Sequence, residues 1–207
     1  MNEQRKRLLY AKNKGKIMAN WFTADTHFGH ERIIEACARP HASLLDMERD
    51  LLERIRARVG PDDDLWVIGD FSIGKLAHQH RARVAGLFAE IPGRRHLIVG
   101  NHDREWVQEL AWDSKADLAD IQTEEGRAFL CHYPLITFPG ARRSTLHLFG
   151  HVHHNWAGSR HAVNVGVDQF GFRPVSISEA RARALELPVN AHWHQVEPWD
   201  RPSGIAD

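Results

Sequence analysis

Apolar and polar positions follow two different spacing patterns through the first half of the chain. Short apolar runs, too brief for helices, predict strands at residues 20–24, 65–68 and 96–99. Longer segments whose apolar residues recur at helical spacing predict helices at 29–38, 43–59 and 75–90. Ser43, with Asp46 three positions later, is a capping-box pattern that opens the second of these helices. The order strand–helix–strand–helix–strand is that of parallel βαβ units.

The second half of the chain is richer in strand patterns. Residues 117–123 and 127–132 flank Glu124-Glu125-Gly126, and this arrangement predicts a β-hairpin. Three further strands are predicted at residues 146–149, 162–165 and 175–177. A helix is predicted at residues 178–185. The change from alternating elements to mostly strands indicates a second sheet.

Length and composition agree with a single folded unit. A chain of 207 residues with 43% hydrophobic residues is long enough to bury one core, so we predict one α/β domain over residues 18–207. No apolar run reaches the length of a membrane span and no secretory signal is visible, so no membrane partner is expected. Cys37 and Cys131 form neither a CxxC pair nor a disulfide ladder, which favours a cytoplasmic location.

The charge is distributed unevenly along the chain. Residues 1–16 hold six basic residues and one acidic residue, whereas the remainder holds 21 basic and 26 acidic residues, a balance of −5. An acidic body argues against a large face for nucleic acid. The basic leader has two interpretations: an arm for nucleic acid or another anionic surface, or a disordered extension over residues 1–17 with Met18 as an alternative start. We favour the second.

Polar residues follow the predicted strands at the points where the strands end. They are Asp25-Thr26-His27, Gly69-Asp70, Gly100-Asn101-His102-Asp103, His132 and Gly150-His151-Val152-His153. Each has an ordinary explanation when taken alone, since Gly-Asp is a common turn and His132 resembles a core histidine. In an α/β protein, however, side chains beyond the carboxyl ends of strands converge on one crevice. Because Asp, Asn and His suit manganese, iron, zinc and nickel, the set predicts a two-metal site for phosphate esters.

These motifs, in this order, make the chain similar to the calcineurin-like metallophosphoesterases over residues 20–178. It resembles in particular a small, uncapped bacterial or phage branch, through Asp25-Thr26-His27-Phe28-Gly29-His30 near the start and Asn164-Val165-Gly166-Val167-Asp168 near the end. The resemblance implies a four-layer α/β/β/α sandwich of two mixed β-sheets flanked by helices. One departure is Phe71-Ser72-Ile73-Gly74, because many relatives carry an acidic residue at this point. Substrate contacts on that loop are therefore not carried over.

The resemblance also implies which residues hold two divalent metal ions. The first metal would be bound by Asp25, His27 and His153. The second metal would be bound by Asn101, His132 and His151. Asp70 would bridge both metals. Manganese is the favoured ion, with iron, zinc or nickel as alternatives.

The implied reaction is hydrolysis of a phosphate mono- or diester by in-line attack of a hydroxide that bridges the two metals. His102 would stabilise or protonate the leaving oxygen, and Asp103 would orient His102. Candidate contacts for the substrate phosphate are His30, Arg39 and Arg104. The expected partner is a small phosphate ester, with nucleotides included, in an open cleft.

The sequence says less about the identity of the substrate than about the metal ligands. Phe71 and Tyr133 are candidates for stacking on a base or another aromatic group, and Lys75 is a further candidate for a phosphate. A nuclease acting on polynucleotides is an alternative function, supported by the basic leader and opposed by the acidic body. A non-catalytic metal-binding scaffold is a further alternative. It is disfavoured because such proteins typically lose metal ligands, and all seven are present here.

Overall fold

The computed structural model describes residues 18–73 and 76–196. The predicted extension at residues 1–17 and the predicted phosphate contact Lys75 lie outside the described residues. Among the described residues, no helix combines the length and the apolar character needed to cross a bilayer.

The first sheet contains four parallel strands in sequence order. They are β1 (Asn20–Thr23), β2 (Asp64–Ile68), β3 (Arg94–Ile98) and β4 (Ser114–Ala116). Phe22 of β1 aligns with Trp66 of β2, and Trp66 aligns with His96 of β3. Because the four strands run in one direction, their carboxyl ends lie at the same end of the sheet.

Helices connect these strands and cover one face of the first sheet. They are α1 (Arg32–Ala36), α2 (Leu44–Arg58), α3 (His78–Ala89) and α4 (Glu105–Gln108). The Ser43 hydroxyl accepts a hydrogen bond from the Asp46 backbone N–H, so the predicted cap of α2 is confirmed. One buried cluster joins α2 and α3 to the sheet through Met47, Leu51, Ile55, Leu65, Val67, Val84, Phe88 and Leu97.

The second sheet contains five strands and is mixed. They are β5 (Leu118–Thr123), β6 (Gly126–Cys131), β7 (Leu146–Phe149), β8 (Gly158–Ser159) and β9 (Ala162–Asn164). Their order is β5-β6-β7-β9-β8. The antiparallel β5–β6 pair is the predicted hairpin, whereas β6, β7 and β9 are parallel. Two helices follow, α5 (Ile177–Glu186) and α6 (Trp193–Val196).

The inner faces of the two sheets pack against each other. The buried cluster between them contains Phe22, Ile68, Ile98, Leu130, Leu148 and Val163. Ala180 and Ala184 of α5 complete this cluster. On the outer face of the second sheet, Phe129 packs with Phe138 and Trp193. The predicted two-sheet α/β sandwich is therefore confirmed, with a loop and the short α6 covering the second sheet.

Several element boundaries differ from the prediction for physical reasons. The strand predicted at 175–177 is a single antiparallel bridge between Val175 and Phe22, because Ser176 caps α5 and Ile177 already belongs to that helix. This bridge makes the first sheet mixed at its β1 edge. The helix predicted at 29–38 shrinks to α1, since backbone bonds to the loop after β2 hold the chain before it. β4, α4 and β8 are too short to show a periodic pattern.

Candidate metal centre

The loops that follow β1, β2 and β3 meet the loops that follow β6, β7 and β9 at one end of the two sheets. Backbone bonds continue the β1–β2 pairing past the strand ends, since Asp25 N donates to Gly69 O (3.0 Å) and His27 N donates to Asp70 O (3.0 Å). Between β6 and β7, Gly150 N likewise donates to the carbonyl oxygen of His132 (3.0 Å). The polar residues predicted at the strand ends therefore lie together.

Asp25, His27 and His153, which we call the first half-site, place their ligand atoms within 4.8 Å of one another. Asp25 and His27 are buried. Both carboxylate oxygens of Asp25 accept from the backbone N–H of His151, at 3.0 and 2.9 Å. Burial raises the pKa of Asp25 to about 6. Burial also lowers the pKa of the His27 imidazole well below its ordinary value, so this ring is a neutral lone-pair donor.

Asn101, His132 and His151, which we call the second half-site, lie on the other side of Asp70. The ligand atoms of His132, His151 and Asp70 lie within 4.8 Å of one another. His132 Nδ1 donates to the carbonyl oxygen of Ile68 at 2.9 Å, and this bond fixes the ring with Nε2 turned toward Asp70. His132 Nε2 lies 3.1 Å from Asn101 Oδ1, which brings the amide into the same cluster.

Asp70 stands between the two half-sites. Its Oδ2 lies 3.6 Å from His27 Nε2 and 3.4 Å from His132 Nε2. Its Oδ1 accepts from the backbone N–H of His102 at 2.8 Å, which fixes the orientation of the carboxylate. Burial raises the pKa of Asp70, but its interactions with His132 and His27 outweigh burial and hold it at about 2. A charged carboxylate thus faces both half-sites.

Left-handed backbone conformations are concentrated at this site. The φ angles are 57°, 53°, 55°, 72° and 49° for Asp25, His27, Asp70, His151 and His153. In the described part of the chain, the other non-glycine residues with positive φ are Ala38 and Phe172. Each such conformation costs about 1–3 kcal/mol and persists where the surrounding structure enforces it, as is typical of ligand-binding sites.

Two turn glycines are required because side chains of candidate ligands lie directly against them. A Cβ atom on Gly69 would lie 2.2 Å from His132 Nδ1. A Cβ atom on Gly150 would lie 2.5 Å from Asp25 Oδ2. Both distances are far below van der Waals contact, so only glycine allows this close approach of backbone to ligand.

The donor set fits two divalent cations. His27 Nε2 is buried and has no hydrogen-bond partner among the described residues. A buried nitrogen left unpaired costs free energy, so its position next to two carboxylates calls for a ligand. Two carboxylates, one amide oxygen and four imidazoles are ligands that manganese, iron and zinc accept.

A third group of possible ligands, Cys37, His153 and Asp168, lies beside the first half-site. The Asp168 carboxylate is already engaged, because it accepts from Arg39 at 2.8 and 3.1 Å and from His153 Nδ1 at 2.9 Å. Burial also raises the pKa of the Cys37 thiol to about 11, which disfavours the thiolate that binds metals. The positive guanidinium makes this group a poor cation site, and Asp168 instead orients the His153 ring.

The contacts of Asp103 differ from the predicted ones. Its Oδ2 accepts from the backbone N–H groups of Asp70 (2.8 Å) and Gly100 (2.9 Å), and its Oδ1 accepts from Phe71 N (2.9 Å). Both oxygens therefore accept hydrogen bonds from backbone N–H groups of the loops after β2 and β3. Asp103 positions the backbone of Asp70 and does not orient the ring of His102, contrary to the prediction. The sequence spacing could not show this, because the carboxylate points to a loop more than thirty residues away.

The three predicted phosphate contacts that lie among the described residues have different surroundings. His30 is partly buried, and its Nδ1 lies 3.2 Å from Nδ1 of His27. Arg104 is exposed at the start of α4. The Arg39 side chain is fully buried and donates to Asp168 and to the carbonyl oxygens of Asp25 and Thr26. This burial contradicts the predicted contact between Arg39 and the substrate.

The two aromatic candidates also differ in position. Phe71 is buried in the core, with its ring 5.0 Å from that of Phe28 and 5.3 Å from that of Trp112, so it cannot stack on a substrate. Tyr133 is 44% exposed, and its ring centroid lies 4.7 Å from that of His151. Tyr133 is therefore the aromatic side chain available beside the second half-site.

Glu48 supports the site and was not predicted from the sequence. Its Oε1 accepts from the backbone N–H of Gly29 at 2.8 Å, and its Oε2 pairs with Arg83 of α3. The carboxylate is buried and therefore fixes the loop that carries His27. The sequence contains one indication of this role. Glu48 is a charged residue in the apolar stripe of α2, between Leu44 and Leu51, where an apolar residue is expected.

A comparison with models of known protein families returns no match. The chain is 37% identical over 83 residues to the Gene 66 protein of Mycobacterium phage L5, and 40% identical over 84 residues to that of Mycobacterium phage D29. These alignments cover 40% and 41% of this chain but only 39% and 40% of the phage proteins, about two fifths of their length. The uncharacterised protein MJ1445 of Methanocaldococcus jannaschii is 26% identical over 169 residues, covering 76% of this chain and 86% of that protein.

Two solved structures superpose on the chain. AQ665 from Aquifex aeolicus, a protein of unknown function, matches with a TM-score of 0.63 and 24% identity, over 78% of this chain and 97% of that one. YfcE, a phosphoesterase from E. coli, matches with a TM-score of 0.46 and 18% identity, over 77% and 82%. The two-sheet fold is thus shared with AQ665. In its ordered Asp, Asn and His motifs, the chain is similar to the calcineurin-like metallophosphoesterases.

Proposed function

We propose that this protein is a phosphoesterase that hydrolyses phosphate mono- or diesters with two divalent metal ions, manganese being the favoured ion. The observation that carries the proposal is the position of Asp70, whose Oδ2 lies 3.6 and 3.4 Å from ring nitrogens of the two half-sites. A single-metal site would not need one carboxylate shared by two sets of histidines. Paired metals clamp the attacking and leaving oxygens in phosphoryl transfer.

The side chains of this protein hold and aim the reacting groups. When bound, the two divalent cations supply Lewis acidity to the phosphate group and lower the pKa of a water molecule, to about 7 in favourable cases. We assign proton transfer to the leaving oxygen to a ring nitrogen of His102. Its ring is partly exposed, and its centroid lies 5.3 Å from that of His27 and 6.2 Å from that of His30. The hydrogen bond from its backbone N–H to Asp70 Oδ1 holds His102 beside the proposed metal ligands.

Tyr133 supports a substrate with an aromatic ester group. Its ring lies against His151 and is partly exposed, so a flat group bound beside the second half-site can contact it. Aryl phosphates and nucleotides carry such a group. We therefore propose small aromatic phosphate esters as the first substrates to screen.

The test is hydrolysis of p-nitrophenyl phosphate and bis(p-nitrophenyl) phosphate by chelator-stripped protein, with and without Mn²⁺. Wild-type protein should turn over only with added metal. Asp70→Asn should abolish hydrolysis, because a neutral amide cannot neutralise two cations at once. Circular dichroism should show that this variant retains the fold.

Asp120→Asn is the matched control, since Asp120 is a surface carboxylate paired with Arg127 on β6. This variant should keep wild-type turnover. Metal-independent turnover by wild-type protein, or full activity of Asp70→Asn, would contradict the proposal.

A further inference from the structure

We propose that the buried Arg39–Asp168 pair is a positioning device for the first half-site alone, and that breaking it weakens divalent-cation binding there. The inference rests on the metal-binding part of the proposed function. Arg39 lies between α1 and α2, and Asp168 follows β9, so the pair joins loops 129 residues apart in sequence. The two side chains are 0% and 3% exposed, which places the pair beneath the site.

Arg39 holds the backbone of the loop after β1. Its Nη2 donates to the carbonyl oxygen of Asp25 at 2.7 Å, and its Nη1 donates to the carbonyl oxygen of Thr26 at 3.1 Å. Asp25 and His27 both have left-handed φ angles, a conformation that the chain keeps only where its surroundings enforce it. One planar guanidinium therefore fixes the two peptide units that aim both ligands.

Asp168 holds the third ligand of the same half-site. Its Oδ2 lies 2.9 Å from His153 Nδ1 and 3.1 Å from Arg39 Nη2, and its Oδ1 accepts from Arg39 Nε at 2.8 Å. A carboxylate that is already bonded to a guanidinium is an acceptor, so His153 Nδ1 carries the proton in this contact. In the neutral ring the lone pair is therefore on Nε2, the nitrogen that a metal would use.

The second half-site meets the first through the bond from the His151 backbone N–H to the Asp25 carboxylate, and it also has supports of its own. His132 Nδ1 donates to the carbonyl oxygen of Ile68, and Asp103 holds the loops that carry Asp70 and Asn101. Within residues 18–73 and 76–196, no hydrogen bond or ion pair joins Arg39 or Asp168 to the second half-site. The two half-sites should therefore respond differently when the pair is broken.

Asparagine cannot replace Asp168. Three N–H groups point at the carboxylate, two from Arg39 and one from His153. An amide offers a single oxygen, and its NH₂ group would face these donors. In either orientation of the amide, Asp168→Asn therefore points an NH₂ group at a donor, at Arg39 Nε or at His153 Nδ1, and weakens the support of the first half-site. Changing the carboxylate that bonds to a metal-binding histidine typically lowers metal affinity about 10- to 100-fold.

The experiment is calorimetric titration of metal-stripped protein with Mn²⁺ in two backgrounds. His151→Ala removes a ligand from the second half-site, so the first keeps all three of its ligands. His153→Ala removes a ligand from the first half-site, so the second keeps all three of its ligands. In the His151→Ala background, Asp168→Asn should raise the Mn²⁺ Kd about 10- to 100-fold. In the His153→Ala background, the same substitution should leave the Kd unchanged. A residue with a merely structural role would lower the melting temperature of the metal-free protein without this difference between backgrounds.

Arg39→Lys is the second variant, for the case in which Asp168→Asn does not fold. Lysine keeps the buried charge balanced but lacks the planar fork, so the Kd at the first half-site should rise by a smaller factor. Asp64→Asn is the matched control, because Asp64 also accepts from an arginine and a histidine, Arg94 and His96, at the opposite end of the sheet. It should change neither Kd.

Three results would overturn these ideas in distinguishable ways. Two Mn²⁺ ions bound by wild type, with a folded Asp168→Asn protein whose Kd values are unchanged, would refute the role of the pair and leave the proposed function standing. Equal weakening in both backgrounds would also refute it, because the effect would not be specific to one half-site. A wild-type protein that binds no Mn²⁺ would refute the proposed function itself.

Discussion

The amino and carboxyl ends of the first sheet carry the same Arg–Asp–His arrangement in different surroundings. At the amino end, Asp64 accepts from Arg94 (2.7 Å) and from His96 (2.8 Å), and the Arg94 and Asp64 side chains are 39% and 17% exposed. At the carboxyl end, the corresponding pair of Arg39 and Asp168 is 0% and 3% exposed. The chemistry is matched, so the surroundings decide what each arrangement does.

The pKa of the carboxylate does not distinguish the two ends. Burial raises the pKa of Asp64 and of Asp168, but in both the bonds from histidine and arginine outweigh burial and lower it. The difference lies in the further contacts. His96 Nδ1 faces the Ser114 hydroxyl, whereas His153 is a candidate metal ligand. Charge pairing is therefore a poor guide to function until burial and contacts are known.

The largest expected difference between the two ends concerns catalysis. His102→Ala, at the carboxyl end, should lower kcat about 10²- to 10⁴-fold while both metals stay bound, because the proton donor to the leaving oxygen is lost. His96→Ala, at the amino end, should leave kcat unchanged. Aryl phosphate hydrolysis with Mn²⁺ and metal analysis of the purified variants measure both effects. Loss of metal from His102→Ala would make this residue a ligand support and remove its catalytic assignment.

The next difference concerns stability. Arg39→Met leaves Asp168 buried without its charge partner, and breaking a buried pair in this way typically costs about 3–5 kcal/mol. Arg94→Met removes a pair that water screens, and we expect a loss below about 1 kcal/mol. Urea unfolding of the metal-free proteins gives both values. Similar losses of unfolding free energy in the two variants would show that burial does not make the Arg39–Asp168 pair more important for stability than the exposed pair.

The smallest effect concerns a buried histidine that lacks a carboxylate partner. His147 Nδ1 donates to the carbonyl oxygen of Phe129 (3.0 Å), and its Nε2 accepts from Leu135 N (3.1 Å). Burial lowers the pKa of His147 from 6.5 to about 4. Between these values the unfolded chain binds a proton that the folded chain does not. Stability should therefore fall by up to about 3 kcal/mol as the pH drops from 6.5 to 4, and be unaffected by this group above pH 6.5.

His147→Gln is the variant that isolates this contribution, since glutamine does not titrate. Urea unfolding of metal-free protein at several pH values should show that the wild type loses more stability than the variant on acidification. Parallel curves for the two proteins would mean that folding does not lower the pKa of His147.

Elements with strong local signals were predictable from the sequence. The Ser43 cap of α2, the hairpin of β5 and β6, and β7 at Leu146–Phe149 all lie where the pattern placed them. Each depends on residues close in sequence, namely a hydroxyl before a helix, a Gly-containing turn, or a short apolar run. The same local reasoning predicted a strand at 175–177, where the cap at Ser176 starts a helix instead.

Roles that depend on distant partners were not predictable. Asp103 lies two positions after the candidate ligand Asn101, and Arg39 lies twelve positions after His27, and both looked like groups of the cleft. Arg39 bonds to Asp168, 129 positions away, and Asp103 bonds to the loop after β2. No local pattern reports such contacts, because they arise only when separate loops meet at the end of the sheets.

The sequence by itself determined the order of the longer strands and helices, the polar motifs at the strand ends and therefore the chemistry available to the site. These follow from spacing and residue type, which are local properties of the chain. The tertiary structure decided which ligands face each other, that Asp70 stands between two half-sites, and which charged residues lie beneath the site or at the surface. The physical reason is burial: the same arginine, aspartate or histidine is a screened surface group, a fixed support or a ligand according to what surrounds it.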